Sequence, residues 1–169
     1  KKENVEFFEV LGREVRVSGE FEGQKLKGFI DRLDSFHPGQ VRVVDYKTGK
    51  VLDDDEKITD DNAEAIADKI FAEDIKERPK IALQFFIYDL LVQDHPLAKG
   101  RQIYNCVYST ARLFKEPPLN VPRNEKFFEA VSHRLGETLQ EMYSLDVPFR
   151  RTKDEKVCEY CDFKMICGR

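Results

Sequence analysis

Asp45 and Lys47 stand two residues apart at the end of a valine-rich run, Val41-Arg-Val-Val-Asp45-Tyr-Lys47. On a strand, residues at i and i+2 share a face, so the carboxylate and the ammonium point the same way. Asp31 closes the preceding apolar stretch, Gly28-Phe-Ile-Asp31, and reaches the same patch if the two stretches pair. Two carboxylates and an ammonium on one patch suit a hard divalent cation beside a scissile phosphate. The carboxylates would hold the metal, and the lysine would orient a water or steady developing negative charge. The plain alternative is an ordinary Asp–Lys pair on an exposed hairpin, worth little energetically. The second aspartate, and Thr48-Gly49-Lys50 directly after the lysine, favour the site.

The elements that position these residues follow from local pattern. His37-Pro-Gly-Gln40 has turn composition, so residues 28–47 read as a β-hairpin. Val41, Val43 and Val44 make its second strand β-prone and at least half buried. Upstream, residues 14–17 and 25–30 read as strands of an antiparallel meander, with Gly12, Gly19 and Gly23 as turn points. Glu9, Glu14 and Glu20 are candidates for an extra site carboxylate, although a solvent-facing strand position explains each of them. Glu14 is favoured by its place ahead of the Gly28-Phe-Ile-Asp-Arg-Leu-Asp34 segment.

Downstream, Asp53, Asp54, Asp55 and Glu56 open an acidic stretch over 51–60 that reads as a solvated loop. Residues 61–78 read as a helix, with Ala63, Ile66, Ala67, Ile70 and Ile75 near helical spacing and Asp and Asn at its start as caps. Pro79 ends it and opens a second helix over 80–93. That helix has Leu83, Phe86, Leu90 and Leu91 on an apolar face, and Gln84 and Tyr88, four apart, share a face. Residues 101–109 read as a strand, Pro117, Pro118 and Pro122 as a loop, and 124–144 as a long amphipathic helix. His133 lies beside that helix's apolar stripe and reads as a surface histidine.

The 169 residues are 41% hydrophobic and 36% charged, a globular composition with length enough for one cored domain over 1–169. No apolar run approaches a membrane span, so no membrane partner is expected. The net charge of −4 is not that of a protein that coats DNA, and it predicts weak, salt-sensitive DNA affinity.

Three of the four cysteines form a tail over 158–167, Cys158-Glu-Tyr-Cys161-Asp-Phe-Lys-Met-Ile-Cys167. This spacing favours zinc or iron–sulfur ligation over a disulfide framework and suits a cytoplasmic protein. Cys106, inside a strand pattern, reads as a core thiol.

Gly28-Phe-Ile-Asp31-Arg-Leu-Asp34 with Val43-Val-Asp45-Tyr-Lys47-Thr-Gly49 resembles the active-site hairpin of PD-(D/E)XK nucleases. The RecB-like branch, with AddB-type domains, is the best match. Gln84-Phe-Phe-Ile-Tyr88 resembles that branch's Q-x-x-x-Y helix, and the tail resembles its C-x-x-C-x(5)-C motif.

The resemblance implies an α/β fold with a restriction-endonuclease-like core, a central mixed sheet flanked by helices. It implies Mg²⁺- or Mn²⁺-dependent hydrolysis of DNA, single-stranded or at duplex ends, by an exonuclease of repair or recombination with a fused or bound helicase. Asp31, Asp45 and the Tyr46 carbonyl would hold the metal, with Glu14 as a further ligand. Lys47 would activate water, Gln84 and Tyr88 would position DNA or the lysine, and Thr48 and Lys50 would contact phosphate. Cys158, Cys161 and Cys167 would hold a structural [4Fe–4S] cluster, completed by a cysteine outside this chain, which is then the C-terminal part of a larger protein. The alternative is a nuclease-like module that binds DNA or a partner without cutting. A small zinc-binding domain would use the tail alone.

Overall fold

The structure, a computed structural model, describes residues 8–49, 51–72, 78–112, 115, 117–148, 150–153 and 155–168. Lys50 and residues 73–77 of the expected first helix lie outside the described residues, as do the side chains of Asp53 and Asp54.

Among the described residues, five strands form one mixed sheet in the order β1-β2-β3-β4-β5. They are β1 (Glu9–Phe21), β2 (Gln24–Ser35), β3 (Gln40–Lys47), β4 (Gln102–Ser109) and β5 (Asn120–Pro122). The first three are an antiparallel meander, β3 and β4 are parallel, and β5 returns antiparallel to β4. The β1–β2 turn carries Glu22 at φ 48° and Gly23 at φ 74°, the two left-handed residues that a tight hairpin of the right twist requires. The β2–β3 turn closes by a hydrogen bond from Gln40 N to His37 O at 3.1 Å, with Pro38 second and Gly39 third at φ 79°. Proline there presets φ, and glycine accepts the positive φ.

The helices are α1 (Asp53–Glu56), α2 (Ala63–Phe71), α3 (Lys80–Val92) and α4 (Glu125–Tyr143), with a 3₁₀ turn at Glu155–Cys158. α3 is the centre of the packing, because three apolar clusters meet on it. Tyr88, Leu91 and Val92 lie on the sheet against Ile30, Leu33, Val41 and Val43. Ala82 and Phe86 meet α2 and α4 through Ile66, Ile70, Phe127 and Val131. Ile81 and Phe85 meet Val51, Val107 and Val121. Each fully buried large aliphatic or aromatic side chain contributes roughly 1.5–3 kcal/mol, so α3 is fixed on all sides rather than along one stripe.

Two loop expectations are corrected. The acidic stretch is not simply solvated: it forms α1, and Asp55 and Glu56 are buried. Asp55 Oδ1 accepts from the backbone of Ile81 at 2.9 Å and of Ala82 at 3.1 Å, and Oδ2 from Leu52 N at 3.0 Å. Asp55 therefore caps the first turn of α3, where proline at the cap position offers no side-chain acceptor. Glu56 is ion-paired with Arg112. Pro122 is likewise not in a loop. It ends the short edge strand β5, a place where a missing N–H costs no ladder bond. Asn62, expected to cap α2, makes no side-chain cap bond; it accepts from Thr59 N and donates to Lys57 O. Among the described residues no helix is long and apolar enough to cross a membrane.

Candidate active site on the β2–β3 hairpin

β3 pairs with β2 in a register set by Arg32–Val44, Leu33–Val43 and Asp34–Arg42. Val41 and Val43 face α3, so Asp45 and Lys47, of the same parity, face it too. Asp45 is buried, with 4% of its surface exposed. Its Oδ1 accepts from Gln84 Nε2 and from the Tyr88 hydroxyl, both at 2.9 Å. Gln84 Nε2 also lies 2.5 Å from the Tyr88 oxygen, closing a three-membered network. Burial first, then the Asp45 charge, push the Tyr88 pKa up, so the phenol stays protonated as a donor. The resemblance implies that Gln84 and Tyr88 position DNA or Lys47; in the structure their hydrogen bonds go to Asp45.

The other oxygen, Asp45 Oδ2, is buried and accepts no hydrogen bond among the described residues. Lys47 Nζ stands 2.8 Å from it and forms an ion pair with it. Asp31 Oδ2 accepts from Tyr46 N at 2.8 Å, which ties the Asp31 carboxylate to the backbone between Asp45 and Lys47. Asp31, Asp45 and Lys47 are thus gathered on adjacent strands.

Counting along the β1–β2 ladder between Arg13–Arg32 and Val15–Ile30 puts Glu14 opposite Asp31. Glu14 is exposed and holds φ 50°, a left-handed conformation that costs a non-glycine residue about 1–2 kcal/mol. Ile30 and Leu33, three apart, both face the core, so the strand's alternation breaks next to Asp31. Among the described residues no three His, Cys, Asp or Glu side chains form a metal-ligand group, so Glu14 is not brought in as a third ligand. Thr48 is exposed beyond the strand end. Lys50 lies outside the described residues.

The residues present fit a divalent ion on one point of chemistry: a buried carboxylate oxygen in an ion pair with Lys47, with a second carboxylate on the adjacent strand, offers an oxygen-only donor pair. Mg²⁺ and Mn²⁺ sites often use one or two carboxylates and take the remaining ligands from water and phosphate. The tail differs. Cys158, Cys161 and Cys167 are half-buried and in no disulfide, and the absence of any three-ligand group applies to them too. As described, the three thiols do not by themselves form a cluster site. Cys106 is buried in β4.

The hairpin is braced from behind by a buried ion pair that its sequence does not advertise. Arg42 donates through Nε to Asp34 Oδ1 at 2.8 Å and through Nη2 to Oδ2 at 3.2 Å, and both side chains are fully buried. Arg32 Nε adds a bond to Asp34 Oδ2 at 2.9 Å. Burial alone would lower the Arg42 pKa, but the Asp34 hydrogen bonds and charge hold it above its ordinary value.

A family model for the PD-(D/E)XK nuclease superfamily matches residues 1–168. The chain belongs to the PD-(D/E)XK nuclease superfamily. Membership carries the mixed five-stranded sheet with flanking helices and the general expectation of nuclease chemistry. Among solved structures, the superfamily member described here is similar to one reported as the crystal structure of SSO0001, with 18% identity and a TM-score of 0.42. The match covers 92% of this chain and 59% of that one, so this chain spans under two thirds of that structure's length. No curated protein matches the chain.

Proposed function

We propose that the chain is a divalent-metal-dependent deoxyribonuclease whose reaction is hydrolysis of a phosphodiester at the Asp31–Asp45–Lys47 patch. The observation that carries this reading is the asymmetric treatment of Asp45. One oxygen is committed to Gln84 and Tyr88, and the other is left buried beside Lys47. A carboxylate held in this way keeps its orientation without spending its second oxygen.

In this reading Asp31, Asp45 and the Tyr46 carbonyl are the metal ligands. Mg²⁺ or Mn²⁺, when bound, supplies Lewis-acid charge to a phosphoryl oxygen and acidifies water. Lys47 orients the attacking water by a hydrogen bond and offsets negative charge as it develops on the phosphate. Gln84 and Tyr88 are positioning residues that act through Asp45. Thr48 and Lys50 contact the flanking phosphates.

The finer assignments belong to the same proposal: a RecB-like exonuclease of DNA repair or recombination, working beside a helicase on single strands or duplex ends. Residues 1–169 are taken as one nuclease domain, with the 158–167 tail a [4Fe–4S] site that needs a fourth thiol from outside them. Iron and acid-labile sulfide in the full-length protein would support the cluster, and zinc alone would sink it.

The test is incubation of labelled single-stranded and duplex DNA with the protein in Mg²⁺ or Mn²⁺, beside EDTA. Metal-dependent loss of full-length strands is expected. Binding without cutting, in the full-length protein as well, would instead favour a nuclease-like binding module.

A further inference from the structure

A cavity of about 230 Å³ opens at the end of the β3–β4 pair, beside the candidate active site. Its wall includes Val107, Tyr108 and Ser109, the parallel-ladder partners of Asp45, Tyr46 and Lys47. Val107 faces α3, as Asp45 does, so Ser109 stands on the same face as Lys47, one strand spacing away (about 4.8 Å). Thr110 N donates to Lys47 O at 2.9 Å, which holds the chain in register as it leaves the sheet.

Ser109 is the informative residue. It is 6% exposed, and among the described residues its hydroxyl has no hydrogen-bond partner. A buried hydroxyl left without a partner costs free energy, and one lining a cavity has an obvious place for its partner to sit. The rest of the lining says what kind of partner. Pro117, Pro118, Leu119 and Tyr108 give flat or apolar surface. Arg112 is present, but its charge is already answered by Glu56 and its Nη2 donates to Val51 O at 2.8 Å. A carboxylate in the wall and a neutralised guanidinium do not suit a phosphate. A slot with apolar walls and the Ser109 hydroxyl, able both to donate and to accept, suits the face and edge of a heteroaromatic ring. The volume is below the roughly 300–1,000 Å³ of drug-sized ligand sites and fits one ring system.

We propose that this cavity takes a nucleobase of the strand whose backbone passes the Asp31–Asp45–Lys47 patch, with Ser109 Oγ hydrogen-bonded to the base edge. The inference rests on the nuclease reading and sharpens its substrate. A base can enter only when unpaired, so the strand engaged is single-stranded or frayed.

The test is an amide NMR titration of the chain with deoxyadenosine monophosphate, beside deoxyribose phosphate as the ligand without a base. The nucleotide is expected to bind about 5- to 150-fold more tightly, the range that base stacking gives, and to shift the Ser109 and Leu119 amides. Leu119→Trp, on the exposed rim and so little threat to folding, fills the slot and should abolish those shifts; Ser109→Ala should weaken them. Equal affinity for the two ligands, or base-dependent shifts confined to other residues, overturns the proposal. The titration needs no turnover. A chain that shifts these amides but never cuts DNA retires the nuclease reading alone, and one that cuts DNA with a flat titration retires the pocket alone.

Discussion

Tyr88, on the central helix, donates its hydroxyl hydrogen to Asp45 Oδ1, on the central strand, at 2.9 Å. The two residues are 43 apart in the chain, and the bond is buried. It orients one carboxylate without occupying the oxygen that faces Lys47. Helix placement and site geometry are therefore one problem in this fold.

Removing either donor to Asp45 should loosen the carboxylate without unfolding the protein. A hydrogen bond to a charged group contributes about 1.5–3 kcal/mol, so Tyr88→Phe and Gln84→Ala should each slow metal-dependent cutting roughly 10- to 100-fold. Because both donors serve one oxygen, the double variant should lose less than the product of the two. Single-turnover rates for the three variants, with circular dichroism as the fold control, check this. Strict multiplicativity would show that the two side chains act separately.

Much of this geometry is legible in the sequence, and the limits are physical. Asp45 and Lys47 announce themselves by parity after a valine run; spacing puts Gln84 and Tyr88 on one helix face, and the family resemblance is what points that face at the site. Local periodicity also places α3, β4 and α4 to within a residue or so of where they lie. What periodicity does not carry is the destination of a polar side chain. Asp55 sits in a run of acids that reads as solvated, yet it caps a helix 26 residues on. Arg42 looks like the polar half of an alternating strand, yet it is fully buried on Asp34. Pro122 reads as a loop residue because a three-residue edge strand is too short to show a period.

The Arg42–Asp34 pair should be costly to break from either end. Removing one partner leaves an uncompensated buried charge, which costs about 3–5 kcal/mol. Asp34→Ala should lower the urea midpoint accordingly. The same substitution at Asp146, which is exposed, should leave the midpoint nearly unchanged. Equal effects would mean that the Asp34 pair is not buried in solution.

Asp55→Ala should destabilise by about 1–2 kcal/mol, the loss expected of a helix cap. It should also slow cutting, since the first turn of α3 leads into Gln84. Asp55→Asn keeps one acceptor oxygen and should recover most of both. Stability lost without any change in rate would separate the cap from the site.

Asp89 gives the protein a pH dependence of defined sign. It is buried on α3 and accepts from Asn105 Nδ2 at 2.8 Å. Burial pushes its pKa from 3.8 to about 7, against the opposing pull of Asn105 and Arg123. The native state therefore holds this proton more tightly than the unfolded chain. Its contribution is fully present below pH 3.8 and is lost as pH rises to about 7. Asp89→Asn, which keeps an acceptor for Asn105 and cannot ionise, should remove this decline. Urea melts of both proteins between pH 5 and pH 8 read the difference. Parallel curves would show that Asp89 does not titrate in that window.

The most direct test of the central claim is the single-turnover cutting rate of Lys47→Ala in Mg²⁺, with DNA affinity measured alongside. Lys47 stands 2.8 Å from Asp45 Oδ2, and in the proposed reaction it serves the chemistry rather than anchoring the strand. The rate should fall about 100- to 1,000-fold, the loss typical of one charge-stabilising group, while affinity changes little. A wild-type rate in the variant, or a loss of affinity that accounts for the whole fall, would contradict the account.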